Sequence, residues 1–174
     1  MEKMLVVIFD NETKAYEGSH ALGELDKEGS ISIHAETVIQ KSNDGTVSVK
    51  RTEPNFPIRA ISGTAIGSLI GLLGGPAGVI MGAALGTTSG LIGDLYVANF
   101  DEEFLGDASA ALKPGNFAVV ADVSEEWVTP VDTTMEAIGG VVFRTPRQDF
   151  EEERRAQDIA ALREELDQAR AEQA

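Results

Sequence analysis

The alternation of apolar and polar residues predicts a strand and a helix at the start of the chain. Residues 4–9 form a continuous apolar run of strand length, which is typical of a strand in the middle of a sheet. Asp10 and Asn11 can cap a helix that follows, and Gly29 stands where its C-terminal cap belongs. The apolar face of that helix consists of Ala15, Tyr16, Ser19, Leu22 and Leu25. The chain therefore begins with a β-α unit.

A β-hairpin is predicted next. Residues 31–39 alternate between the two sides of a strand, and the Asn-Asp-Gly sequence at 43–45 is a hairpin turn signal that leads into 46–51. Two prolines within 53–57 then break regular structure. Residues 1–57 thus have the order β-α-β-β.

The pattern returns to short helices and strands after residue 98. Residues 99–112 have helical periodicity, and 117–123 form an apolar strand. Ser124 is a candidate N-cap for a helix that carries the following acidic pair and tryptophan. A last strand is expected at 141–143, so residues 99–146 contain two α-β units.

Between these halves lies a segment with two runs of glycine at four-residue spacing. The glycines are Gly63, Gly67, Gly71 and Gly75, followed by Gly78, Gly82, Gly86 and Gly90. Residues four apart share one face of a helix, so each run would form a smooth stripe. Glycine costs about 1 kcal/mol relative to alanine inside a helix, so close contact must compensate. Small residues at this spacing allow membrane helices to pack closely against each other.

The glycine segment is predicted to be a helical hairpin over residues 58–98. No charged residue occurs from 60 to 93. Helices over about 58–73 and 77–97 would span roughly 24 Å and roughly 31 Å, against a hydrocarbon core of about 30 Å. A tilted or partly inserted pair fits these lengths as well as two full spans.

The predicted fold class is α+β. When the hairpin is removed, the element order contains β-α-β-β-α-β, which is ferredoxin-like, with one extra α-β unit. The domain is thus divided into a first part, 1–57, and a second part, 99–146, around the glycine-zipper hairpin.

The last segment, 147–174, is rich in charge and alanine and is predicted to be a helix. Ile159, Leu162, Leu166 and Ala169 follow a three-four spacing. Two interpretations stay open: a solvated helix that packs this stripe on its own domain, and a helix that mediates oligomerisation.

Composition excludes several function classes. The chain has 29 acidic against 14 basic residues and a formal charge of -15, so it lacks the basic patch that nucleic acid binding requires. It has no cysteine, which excludes disulfides and thiol chemistry. The first apolar run is too short for a secretory signal.

Three stretches together resemble a known family. They are the N-terminal β-α-β-β, the glycine zipper GTAIGSLIGLLGGPAGVIMGAALGTTSGLIGDL at 63–95, and ALKPGNFAVVADV at 111–123. In this order they resemble domain of unknown function 1269, a bacterial and archaeal family usually described as predicted membrane proteins. The resemblance covers about residues 4–145. It implies membrane association and no established activity.

The chemistry-bearing residues do not predict an enzyme, a metal or a cofactor. His20 and His34 have no histidine or cysteine at ligand spacing and are expected to be exposed polar residues. An acidic cluster is formed by Asp101, Glu102, Glu103 and Asp107. It could hold a divalent cation, but it is also the negative first turn that the helix dipole favours. The glycine-rich bend at 74–78 lacks the Lys-Ser/Thr of a phosphate loop.

Asp94 continues the second glycine run and ends the uncharged stretch. Inside a bilayer this carboxylate would be a functional candidate, whereas at the interface it would be a polar boundary, which the nearby Tyr96 favours. The basic residues Lys50, Arg51 and Arg59 precede the hairpin, and they favour the cytoplasmic side for the folded domain.

The sequence therefore predicts a non-catalytic, membrane-associated protein that homo-oligomerises through its hairpin, with membrane lipid as a further partner. The apolar hairpin residues expected to face lipid or the assembly interior are Leu69, Ile70, Leu72, Leu73, Val79, Ile80, Leu85, Leu91 and Ile92. The alternative is a soluble scaffold or accessory subunit of a larger complex, whose hairpins enclose a lipid or quinone. A third hypothesis, a small-ligand sensor or enzyme that uses the open face of the sheet, rests mainly on fold analogy.

Overall fold

The computed structural model describes residues 1–50, 64–74, 100–147, 159–160, 162–163 and 166–171. The strands are β1 (Glu2–Phe9), β2 (Ile31–Lys41), β3 (Val47–Lys50), β4 (Phe117–Glu125) and β5 (Val141–Pro146). The helices within these ranges are α1 (Glu12–Lys27), α2 (Thr64–Leu73), α3 (Glu102–Ala111) and α4 (Thr129–Ile138). The α+β class and the order of the elements are those that the sequence predicts.

The strands form one antiparallel sheet in the order β3-β2-β4-β1-β5. β1 lies between β4 and β5, and its residues from Met4 to Phe9 are all buried. Their continuous apolar run is explained by this position, because a central strand that is covered on both faces has no polar side. The prediction of a middle strand is confirmed.

Helices cover both faces of the sheet. On one face α1 and α4 pack over apolar residues of β1, β2 and β4, including Leu5, Val7 and Val119. On the other face α2 and α3 pack over the alternate residues of the same strands, including Val6 and Val120. The molecule is thus a three-layer structure with the sheet in the middle.

The ends of α1 follow the predicted capping. The side chain of Asn11 accepts a hydrogen bond from the backbone N–H of Lys14 at 2.9 Å. Gly29 adopts a positive φ of 79° just after the helix, a conformation that glycine favours. The buried residues of α1 include Ala15, Ser19, Leu22 and Leu25, as the helical spacing predicts.

The acidic residues around position 101 form the first turn of a helix, which is one of the two interpretations of this cluster. Asp101 is the N-cap of α3 and accepts a hydrogen bond from the N–H of Glu103 at 3.1 Å. Glu102 and Glu103 form the negative first turn. Their placement is explained by the unpaired N–H groups and the dipole at a helix start.

α2 belongs to the core of the chain. Ile66, Leu69, Ile70 and Leu73 are at most 2% exposed and form an i, i+3, i+4, i+7 stripe against the sheet and α3. The expectation that Leu69, Ile70 and Leu73 face lipid or an assembly interior is therefore wrong, because the chain's own sheet takes up this stripe. Leu72 is half-buried against the same cluster. The helix ends at Leu73 as predicted, whereas residues 58–63 lie outside the described part.

The boundary between β4 and α4 differs from the prediction. β4 continues through Ser124 to Glu125, and α4 begins only at Thr129. Ser124 is not a helix cap: it pairs with Glu2 of β1 and Ser32 of β2. Ladder hydrogen bonds on both sides extend the strand, and this tertiary pairing outweighs the local preference of serine for a cap.

In the C-terminal segment, the described residues from 159 onward are helical. Ile159, Leu162 and Leu166 are 51%, 58% and 57% exposed. The interpretation in which this stripe packs on its own domain is therefore wrong for these three side chains.

Candidate functional site

Two of the predicted contact glycines lie within the described chain. Gly67 and Gly71 are in α2 and both are buried. The remaining candidates fall outside the described residues, and they are Gly63, Gly75, Gly78, Gly82, Gly86, Gly90 and Asp94. The described part of the chain thus contains half of the first glycine run and none of the second.

A first cluster of charges lies on the α1/α4 face at the end of β4. We call it the Glu125 cluster, and it consists of Glu125, Lys3, Arg144 and Asp132. The Oε1 atom of Glu125 is 3.3 Å from Lys3 Nζ and accepts a hydrogen bond from Arg144 Nε at 2.9 Å. Arg144 also donates through Nη2 to Asp132 Oδ1 of α4 at 2.7 Å.

The Glu125 cluster joins three strands to α4. The side chain of Glu125 is fully buried, and its second oxygen, Oε2, receives no hydrogen bond from any described residue. Burial lowers the pKa of the Arg144 guanidinium, but the hydrogen bond to Asp132 and the charge of Glu125 outweigh this effect, so the pKa is raised. Arg144 is therefore a permanent cation that holds β5 against β4 and α4.

A second cluster lies on the opposite, α2/α3 face of the same sheet end. We call it the Asp122 cluster, and it consists of Asp122, Arg147, Glu2, His34 and Ser124. Arg147 Nη1 is 2.9 Å from Asp122 Oδ2 and 3.7 Å from Glu2 Oε2. His34 Nε2 and Ser124 Oγ share a hydrogen bond of 2.7 Å.

Asp122 is poorly solvated. It is 6% exposed, and its Oδ1 atom receives no hydrogen bond from the described residues. Burial raises the pKa of this carboxyl, and the nearby Glu2 adds to the rise. The charges of Arg147 and His34 act in the opposite direction without cancelling it. Asp122 is thus the described carboxylate whose charge the fold opposes most clearly.

The strand geometry explains why the two clusters lie on opposite faces. Side chains alternate along a strand, so Asp122 and Glu125, three residues apart in β4, point to different faces. Ile33 of β2 packs on the α1/α4 face, so the next residue, His34, lies on the Asp122 face. Sequence reasoning missed both clusters, because it ended the strand at residue 123 and assigned Glu125 to a helix. The signal was a lone Asp122 in an otherwise apolar strand.

The Ser124–His34 contact has the distance of a nucleophile and its base. Catalysis by such a pair needs a third group that orients the imidazole. No described residue hydrogen-bonds to the other ring nitrogen of His34. Both histidines are exposed as expected, and His20 lies 3.9 Å from Glu24 on the surface of α1. Within the described ranges, no group of three or more His, Cys, Asp or Glu is arranged to hold a metal ion.

Comparison with known protein families gives one match. The family model described as "Protein of unknown function (DUF1269)" matches residues 60–165. The chain belongs to the DUF1269 family. No curated protein and no solved structure matches it.

The DUF1269 match starts in the glycine segment, includes Asp122 and Glu125, and reaches the C-terminal helix. It does not include β1 to β3, although the resemblance in the sequence extends back to about residue 4. Among the helices of the described part, none combines the length and the apolar character required to cross a membrane.

Proposed function

We propose that this DUF1269 protein is a non-catalytic, membrane-associated protein that self-associates through its glycine segment, residues 58–98. The proposal is supported by the absence of charge from 60 to 93 and by the spacing of the glycines. Its partners are further copies of the same chain and membrane lipid.

The observation that carries the proposal is the burial of Gly67 and Gly71. These glycines lie next to the stripe of α2 that packs on the sheet, and both are out of contact with solvent. A glycine that costs helix stability is retained where another group must approach the backbone closely. The second run, from Gly78 to Gly90, has the same spacing, and we propose that it makes a contact of the same kind with another copy.

We also propose a finer description of the fold. Without β3, the sheet order is β2-β4-β1-β5, with α1 and α4 on one face. This arrangement corresponds to a ferredoxin-like core whose βαβ units are β1-α1-β2 and β4-α4-β5. In this proposal β3, the glycine segment and α3 are inserted between the two units.

The orientation is part of the proposal. Lys50, Arg51 and Arg59 precede the glycine segment, and an excess of basic residues near a membrane segment favours the cytoplasmic side. The folded domain would then be cytoplasmic, and Asp94 would mark the polar end of the segment at the interface.

A second candidate function is favoured by the position of α2. The first half of the glycine segment is already packed on the chain's own sheet, and its apolar stripe is unavailable to lipid. The alternative is therefore a soluble scaffold or accessory subunit, in which the second halves of several segments enclose a lipid or quinone.

Substitution of one glycine tests the self-association. We expect Gly82→Leu to block close helix approach and to lower the native mass in mild detergent from oligomer to monomer. Ala84→Leu is the matched control, because it adds a side chain of the same size outside the glycine stripe. Retention of the oligomer by Gly82→Leu, or equal loss in both variants, would contradict the role of the glycine stripe.

Carbonate extraction of native membranes separates the two functions. A membrane-associated protein held by apolar contact stays in the pellet, whereas a scaffold held by polar contacts is released into the supernatant. Release together with an intact oligomer would replace the first proposal with the second.

A further inference from the structure

The C-terminal helix presents an apolar stripe without a partner in the described chain. We call it the tail stripe, and it consists of Ile159, Leu162, Leu166 and Ala169. The three large side chains are more than half exposed, and Ala169 is exposed as well. An apolar seam with this spacing is covered when a second helix packs along it.

The charges beside the stripe identify the second helix. If Ile159 occupies heptad position a and Leu162 position d, the sequence has acidic residues at both preceding g positions and basic residues at both e positions. Asp158 and Glu165 are at g, and Arg163 and Arg170 are at e. In a parallel pair each g residue faces the e residue five positions later on the partner helix. Asp158 then faces Arg163 of the second copy, and Glu165 faces Arg170 of the second copy.

An antiparallel pair does not have this complementarity. It would set g against g and e against e, so that acidic residues oppose acidic ones and arginines oppose arginines. In the first heptad, isoleucine at a with leucine at d also favours two strands over three or four. The second heptad has Leu166 at a and Ala169 at d, so the charges determine the orientation and the first heptad alone favours the number.

We propose that the C-terminal helix pairs with the same helix of a second copy as a parallel, in-register, two-stranded coiled coil. This contact uses a surface that is separate from the glycine segment. Two heptads give little affinity alone. The pairing therefore acts when two domains are already close, and it fixes their tails side by side.

Single cysteines test orientation and register, because the natural chain has no cysteine. In the full-length protein, Ala169→Cys places a thiol at a d position, where it meets its own counterpart in a parallel in-register pair. Ala171→Cys is the matched control at an outward f position of the same helix turn. We expect disulfide dimers of Ala169→Cys to form at least about tenfold faster, as the local thiol concentration rises toward the millimolar range. Equal rates in the two variants would overturn the proposal.

Charge exchange tests the identity of the partner. On the Ala169→Cys background, one variant carries Arg163→Glu with Arg170→Glu, and the other carries Asp158→Arg with Glu165→Arg. Each alone sets like charges against each other, and we expect cross-linking to slow about tenfold. An equimolar mixture restores every opposite pair, so it should cross-link as a heterodimer at the original rate.

Two outcomes contradict the pairing. One is a mixture that cross-links no faster than its components, and the other is charge variants that behave like the parent. Circular dichroism checks that each variant has a folded domain. The same cross-linking in a Gly82→Leu background shows whether the tail contact persists when association through the glycine segment is removed.

Discussion

Asp122 and Glu125 are buried carboxylates in one strand, and their surroundings give them different properties. Glu125 has two cationic partners, Lys3 and Arg144, within 3.3 Å. Asp122 has Arg147 on one oxygen only, and the acidic Glu2 is near the same guanidinium. The cost of burying a carboxylate is offset only where opposite charges and hydrogen bonds surround it. Glu125 therefore stabilises the contacts between the strands, whereas burial disfavours the charged form of Asp122.

We predict that Asp122 lowers stability as pH rises. Burial raises its pKa above 3.8 in the folded chain, so over the interval above that value the folded protein holds a proton that the unfolded chain has released. The free energy of unfolding must then decrease as pH rises through this interval. Asp122→Asn removes the effect. Urea unfolding followed by circular dichroism between about pH 4 and about pH 7 should show the wild type losing stability relative to the variant.

Asp44 provides the opposite control. Hydrogen bonds from the side chain and backbone of Thr46 lower the pKa of its carboxyl. Its contribution is present above the unfolded pKa and is lost as pH falls through the lower folded pKa. Wild type should therefore gain stability relative to Asp44→Asn as pH rises toward about 4, and this pair is measured between about pH 2 and about pH 5. If both variants gave slopes of the same sign, the burial argument for Asp122 would be wrong.

The sequence could locate these residues but not their partners. A single aspartate in an apolar strand indicates that position 122 is not an ordinary core position. Asp122 pairs with Arg147, and Glu125 pairs with Arg144. Each arginine lies more than fifteen residues from its partner in the chain. Local periodicity contains no information about such distant pairs, and for this reason both clusters were missed.

At the scale of elements, α1 packs so closely on β1 that one of its glycines has no room for a side chain. A Cβ at Gly18 would overlap the ring of Phe9, which is 1% exposed. A Cβ at Gly23 in the same helix would meet nothing within 4 Å. Close packing therefore requires glycine at position 18 but not at position 23.

We predict opposite effects of alanine at these two positions. Gly18→Ala should destabilise the protein by about 1–3 kcal/mol, because the ring of Phe9 cannot move without repacking the core. Gly23→Ala should stabilise it by up to about 1 kcal/mol through helix propensity alone. Urea midpoints measured in parallel give the answer. A gain in stability for Gly18→Ala would mean that the helix sits further from the sheet.

The elements themselves were largely predictable because their signals are local. Asn11 and Gly29 mark the two ends of α1, and the turn at 43–45 separates β2 from β3. The end of β4 was not predictable, because Ser124 and Glu125 stay in the strand only through pairing with β1 and β2. Ser124 looked like a helix cap in the sequence, but its tertiary pairing keeps it in the strand.

At the scale of the molecule, the glycine segment and the domain are not independent. Leu69 of α2 is fully buried on one face of the sheet, and Trp127 precedes α4 on the other. A sheet covered on both faces unfolds as one cooperative unit when both layers share its strands.

We predict that Leu69→Ala lowers the free energy of unfolding by about 2–5 kcal/mol. Circular dichroism, which reports the sheet and the helices on both faces, should show a single transition with a reduced urea midpoint. Leu72→Ala, at a half-buried position of the same helix, is the control and should cost less. An unchanged midpoint in Leu69→Ala would mean that α2 is only loosely attached to the domain.

The sequence predicted the class and the order of elements over the described part, but not their neighbours in the sheet. Nothing in the run 4–9 indicates that it pairs with β4 and β5 from the other end of the chain. It also could not distinguish apolar residues that face lipid from those that face a sheet, since both environments select the same side chains. α2 was therefore assigned to the wrong surroundings.

The position of β1 has a consequence for the synthesis of the protein. Both strands that flank β1 follow the uncharged segment 60–93 in the sequence, so the ribosome releases this segment before the sheet that covers α2 can be completed. Pairing between such distant strands is slow, and nascent chains with exposed apolar surface are prone to aggregate. The fold thus leaves the apolar stripe of α2 without its cover of β4 and α3 until the second half of the chain has been synthesised.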